Sequence, residues 1–236
     1  MITFKELGNY GRLGNQLFQV ASTIGIASKN NQETAFPAWQ HPFKHDTNII
    51  DPRVEWYHQR VPWGYHDIRV RPGSNTSLRG YLQSEKYFKH VEAGIRHLFT
   101  FKTMPEKRHY IKSGDFIAVH VRRGDYDPDY HTLLGSFYYR EALDMLPDIP
   151  IMLFSDDMEE AKSVVPWHTN TFHSPNPGFD LAMMTLAKYH VIANSSFSWW
   201  GAWLSDSERV IAPKNWFGPR SKFDTKDLIP DRWEVI

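Results

Sequence analysis

The second half of the chain alternates short apolar runs with amphipathic segments, and this restricts the fold more than any other feature. DFIAVHV (115–121), PIMLFSDD (150–157), VIANSS (191–196) and RVIAP (209–213) read as strands. SFYYREALDML (136–146), MEEAKSVV (158–165), FDLAMMTLAKYH (179–190) and FSWWGAWLS (197–205) read as the helices that separate them. Strands alternating with helices at this spacing predict an α/β lobe built on a parallel sheet with crossover connections.

The first half is less regular. ITFKEL, the glycine-rich GNYGRLGN and a helix over Gln16–Ser28 form a strand, a turn and a helix, with Leu17, Val20, Ala21, Ile24 and Ala27 on one helix face. Such a turn aims free backbone N–H groups at an anion or a sugar. Residues 36–77 are rich in Pro, His and Trp and predict irregular chain with short strands at best. The polar stretch KTMPEKRHYIKSGD (102–115) is the expected division, giving lobes 1–110 and 111–236.

Composition removes several function classes. Lys plus Arg equals Asp plus Glu at 27 each, so no basic excess favours nucleic acid as a partner. Cysteine is absent, which excludes disulfides and thiolate metal sites. No run approaches the ~20 apolar residues of a membrane span, and the first residues lack a secretory pattern. A cytoplasmic protein with no integral membrane segment is therefore expected. Aromatics reach 15%, and their flat faces suit sugar rings as well as cores.

Ligands of an open parallel sheet bind beyond the carboxyl ends of its strands. Polar clusters begin there: HVRRGDY (120–126), SDD (155–157) and NSSFSWWG (194–201). The guanidinium forks of Arg122 and Arg123 match phosphate oxygens. Asn194, Ser195 and Ser196 open a helix with hydroxyls and free N–H groups, again suited to phosphate. Asp156 and Asp157 can accept hydrogen bonds from a ribose or a base edge, although one of them is equally explained as a helix cap. Together these predict a nucleotide diphosphate ligand. Neither a P-loop nor a dinucleotide glycine fingerprint accompanies them.

GRLGNQLFQ (11–19), GYLQSEKYF (80–88), HVRRGDY, FSDD (154–157), NSSFSWWGAWL (194–204) and IAPKNWF (211–217) occur in an order that resembles the α-1,2-fucosyltransferases of glycosyltransferase family 11. The likeness runs from about residue 8 to residue 217. It implies a two-lobed, GT-B-like fold with an acceptor-side first lobe and a Rossmann-like GDP-sugar-binding second lobe. It also implies GDP-β-L-fucose as donor, a glycan acceptor with terminal galactose, inversion at the anomeric carbon, and no metal or other cofactor.

The resemblance places Arg122 on the β-phosphate, where leaving-group charge accumulates, and places His120 beside the nucleotide. His190 matches a position facing the guanine in related enzymes. Ser195, Ser196 and Phe197 are expected to hold the phosphates and flank the base. Asn15 corresponds to a reaction-centre Asn of the related protein O-fucosyltransferases, or else caps the following helix. Family members mostly read GGLGNQ where this chain reads GRLGNQ, so Arg12 departs from the pattern. Asp125 either orients the arginines or takes the acceptor's proton; His120 and acids of the first half are further candidates for that base. DYDPD (125–129) contains the D-x-D spacing of a metal site, but the two arginines before it already neutralise a diphosphate. The tryptophans at 199, 200 and 203 follow helical spacing and read as packing. Rival readings are a transferase of another donor or linkage and a carbohydrate-binding or adhesion protein. The RGD tripeptide at 123–125 and the sequons at Asn75 and Asn194 suggest the latter only in an exported protein.

Overall fold

The computed structural model describes residues 1–51, 53–112, 114–168 and 170–236. Pro52, within the irregular stretch, and Ser113, within the expected boundary, thus lie outside the described residues, as does Thr169. The chain forms two units. The first comprises Met1–Lys102 with Phe223–Pro230, and the second Thr103–Lys222 with Asp231–Ile236. The division falls at 102/103 rather than 110/111, and one late segment rejoins the first unit. That return could not be read from local pattern, because it is set by packing of Phe223 on Trp63, with ring centroids 4.6 Å apart.

In the first unit, β1 (Ile2–Thr3) leads to helix α1 (Leu13–Lys29), then β2 (Tyr57–Arg60), β3 (Thr76–Arg79) and helix α2 (Glu92–Leu98). The strands form a parallel sheet in the order β1-β3-β2. Helix α1 buries Leu17, Phe18, Val20, Ala21 and Ile26, while Ile24 is only partly covered. Its N-cap is Arg12, not Asn15. Between α1 and α2, short 3-10 turns at Glu85–Tyr87 and Lys89–Val91 lie so close that a Cβ on Gly25 would sit 2.1 Å from the Tyr87 carbonyl oxygen.

In the second unit, β4 (Ile117–Val121), α3 (Ser136–Asp144), β5 (Ile151–Ser155), α4 (Met158–Val164) and β6 (Asn170–Thr171) are followed by α5 (Pro177–Met184), β7 (Tyr189–Val191), α6 (Ser196–Leu204), β8 (Arg209–Ala212) and β9 (Glu234–Val235). All strands are parallel in the order β6-β5-β4-β7-β8-β9. Ile117, Val119 and Val121 pack on one face with Leu153, Tyr139 and Ala142; Phe116 and Ala118 pack on the other with Met152, Phe154 and Met183. Burial on both faces is why β4 is apolar apart from His120.

Helix α5 ends at Met184, six residues short of the expected 190, and Tyr189 and His190 enter the sheet. Tyr189 pairs with Ile117 on one side and Arg209 on the other, and this pairing overrides the helical spacing of the preceding apolar residues. The tryptophans at 199, 200 and 203 are fully buried in α6, as packing requires.

Candidate active site

From β4 the chain proceeds outward through β5 and β6, then returns to lay β7 against β4 before continuing to β8 and β9. The order therefore reverses between β4 and β7, and a crevice opens beyond the carboxyl ends of strands at such a point. Residues 122–126 leave β4 there, 156–157 leave β5, and 192–195 link β7 to α6.

Arg122 is the focus. One nitrogen of its guanidinium donates to Asp156 Oδ2 and another to Asp125 Oδ1, and the group lies 5.1 Å from the Tyr126 ring centroid. Its side chain is 12% exposed, so the fork is aimed by its partners rather than free in solvent. Asp156 also accepts from the Arg123 backbone N–H at 3.0 Å, which pins the loop to the end of β5. Gly124 makes this approach possible: its φ is +20°, and a Cβ there would stand 2.1 Å from Asp156 Oδ2. Tyr126 closes the other side. Its hydroxyl donates to the Asn194 carbonyl, its ring stacks on His131 at 4.2 Å, and burial pushes its hydroxyl up to about 12.

His120, the penultimate residue of β4, shares the sheet face of Ala118 and lies with its ring centroid 5.8 Å from that of Phe197. Burial, helped by the Arg122 charge, lowers its imidazole to about 3, so it is neutral at ordinary pH. Its Nδ1 is buried without a hydrogen-bond partner among the described residues, a feature that an arriving polar ligand could satisfy. Ser195 caps α6, its hydroxyl accepting from the Phe197 N–H at 3.3 Å.

Other expected ligands are placed differently. Arg123 is 8% exposed and donates to the Leu134 carbonyl at 2.6 Å and the Arg122 carbonyl at 3.1 Å, with Nε 2.9 Å from Glu160; it braces the loop. Asp157 caps α4, accepting from the Glu160 N–H. Asn194 donates to the carbonyls of Thr132 and Trp216, tying loops together. His190 does not join the cluster: it is fully buried, with Nδ1 2.7 Å from the Ser207 hydroxyl and Nε2 2.9 Å from the Met184 carbonyl. Its apolar neighbours in YHV were a signal of core placement. Asn15 belongs to the first unit, where its Oδ1 accepts from Gln83 Nε2 at 2.6 Å. Neither Gly124 nor Tyr126 was singled out by sequence reasoning, although both lie within the charged heptad. Burial also takes the arginine of the RGD tripeptide and the Asn194 of the second sequon out of surface display, while Gly124 and Asp125 stay exposed.

The glycosyl transferase family 11 model matches residues 71–235. The chain belongs to glycosyl transferase family 11. Among its relatives, the α-1,2-colitosyltransferase of Escherichia coli is 32% identical over 182 residues, covering 66% of this chain and 61% of its own. The galactoside 2-α-L-fucosyltransferase SEC1 of Bos taurus is 26% identical over 253 residues, covering 90% of this chain and 67% of that protein. The E. coli O-antigen glycosyltransferase WbnK matches over 46% of its length, so the chain spans about half to two thirds of these relatives. The crystal structure of fucosyltransferase NodZ from Bradyrhizobium aligns with a TM-score of 0.55 at 14% identity, covering 89% of this chain and 94% of that one. The family 11 fold seen here is thus GT-B-like, with parallel-sheet units. Among the described residues, no helix is long and apolar enough to cross a membrane.

Proposed function

We propose that this chain transfers L-fucose from GDP-β-L-fucose to the 2-hydroxyl of a galactoside, with inversion and without a metal ion. The observation that carries the reading is the Arg122 guanidinium, held by two carboxylates and an aromatic ring at the strand-order reversal. As the acceptor hydroxyl attacks the anomeric carbon, its proton passes to a base, for which Asp125 is the candidate, while the bond to the diphosphate breaks and its electrons pass to the β-phosphate oxygen. A preorganised guanidinium is worth most where that charge develops. The diphosphate replaces Asp125, whose side chain is 56% exposed, while Asp156 keeps the fork aimed. Neutral His120 and the Ser195 cap supply further polar groups to the nucleotide.

Two acids of DYDPD have protein partners that argue against a metal there: Asp127 accepts from the Asp129 N–H, and Asp129 pairs with Arg220 at 3.0 Å. Calorimetric titration with GDP in EDTA, with UDP and ADP as controls, tests this reading. GDP-selective binding that is lost in Arg122→Ala is expected. Binding only with added Mn²⁺, or none, would overturn it. Colitose is the second donor to try, because a relative at 32% identity is named for it and the sugar lacks only the 3-hydroxyl of fucose.

A further inference from the structure

The first unit has a cavity of about 370 Å³ at the carboxyl ends of its own parallel strands. Arg60 closes β2 and Arg79 closes β3, and the residues that follow each strand, Trp63 and Tyr81, complete the lining with Tyr10 and Phe223. Trp63 stacks on Phe223 at 4.6 Å and 27°, while Tyr81 meets Trp63 edge-on at 5.9 Å. The Trp63 indole N–H donates to the Asp224 carbonyl, which fixes the ring. Tyr10 packs against Tyr81 with centroids 5.2 Å apart. The bend is tight: Gly80 has φ +154°, and a Cβ on it would stand 2.5 Å from the Val61 carbonyl oxygen.

The charge balance is uneven. Arg60 and Arg79 are register partners across β2 and β3, so two cations sit side by side. Like charges on neighbouring strands destabilise a sheet unless an anion answers them. Glu6 answers Arg79, at 3.3 Å, and no acid is among the cavity's lining residues. An aromatic wall beside a cationic edge suits a pyranose that presents C–H bonds to the rings and a carboxylate to the guanidiniums.

We propose that this cavity binds a carboxylate-bearing sugar residue of the acceptor, a uronic acid attached to the galactoside. Its assignment as an acceptor subsite rests on the transferase reading; its affinity for an acidic sugar does not. Trp63 supplies the platform, and Arg60 discriminates acidic from neutral sugars.

The full chain is titrated in low salt with lactose, with a galactose–glucuronic acid disaccharide and with lactose phosphate. The uronide is expected to bind about tenfold more tightly than lactose, a charge-assisted preference that added salt reduces. Arg60→Met should bring the two within about twofold, and Trp63→Ala should weaken both by about tenfold. A melting temperature for Arg60→Met within about 2 °C of the parent shows that it folds. Equal binding of lactose and the uronide, or a preference that survives Arg60→Met, would sink the proposal. Tighter binding of lactose phosphate than of the uronide would overturn the carboxylate assignment. GDP titration of the same samples separates the two readings. Uronide binding without GDP binding removes the transferase and leaves the cavity; GDP binding without uronide preference does the reverse.

Discussion

Arg122 holds two carboxylates at once, and a diphosphate reaching it must compete with one of them. Asp125→Asn removes the competitor, so GDP affinity should rise about two- to fivefold, the scale of an exposed ion pair, by calorimetry. Asp156→Asn should do the opposite, because the same side chain also pins the Arg123 N–H. Gly124→Ala should abolish GDP binding, since its Cβ and the Asp156 carboxylate cannot share the space. The position of Arg122 at a strand end was legible in the sequence, because the apolar run stops directly before it. The parts of Gly124 and Tyr126 were not, since they depend on chain approaches that no local pattern encodes. His120 and His190 carry a pH consequence. Both are buried neutral, their imidazoles lowered by burial to about 3 and about 4 from 6.5. The folded protein therefore binds fewer protons than the unfolded chain below 6.5, and stability falls as pH drops through that value toward those folded-state values. Ring ¹⁵N shifts of both should remain those of neutral imidazole at pH 5 while melting temperature declines. Protonated shifts at pH 5 would contradict the burial.

Helix ends and helix crossings show where elements follow local pattern and where they do not. Helix α4 starts at Asp157, which the sequence offered as a cap, whereas α5 starts at Pro177 behind an Asn176 cap, two residues before the expected Phe179. The end of α5 was hidden, because Thr185–Lys188 continue an apolar rhythm and only sheet pairing stops the helix. Two glycines make the same contrast testable. Gly94 lies exposed within α2 with open space at its Cβ position, so Gly94→Ala should stabilise the protein by about 0.5–1 kcal/mol. A Cβ on Gly25 would stand 2.1 Å from the Tyr87 carbonyl oxygen and 2.7 Å from Phe88 Cα, so Gly25→Ala should cost about 3 kcal/mol. Denaturant melts of the pair measure both; equal effects would mean that α1 does not lie against that backbone. Within α6, Trp199 packs against Trp200, Trp203 and Trp233, and Trp199→Ala should cost about 3–5 kcal/mol.

At the scale of the molecule, the chain passes between its units at 102/103, at 222/223 and at 230/231. The two-unit architecture was foreseeable from the polar stretch 102–115, whereas the return of Phe223–Pro230 was not. It is too short to show periodicity and is tied down by long-range partners, Trp63 to Phe223 and Lys86 to Asp227 at 2.7 Å. The last residues then add β9 beside β8, where Arg209 and Glu234 pair at 2.7 Å. Residues 1–110 expressed alone should therefore melt without a cooperative transition, and appending 223–230 through a flexible linker should restore one, as followed by circular dichroism. The threefold crossing also bears on recombination between homologues. A single splice near residue 103 would join one parent's Trp63 to the other parent's Phe223. Exchanging the whole first unit requires three coordinated junctions, so its lining around Arg60 and Trp63 should change by point substitution more readily than by wholesale exchange of the first half.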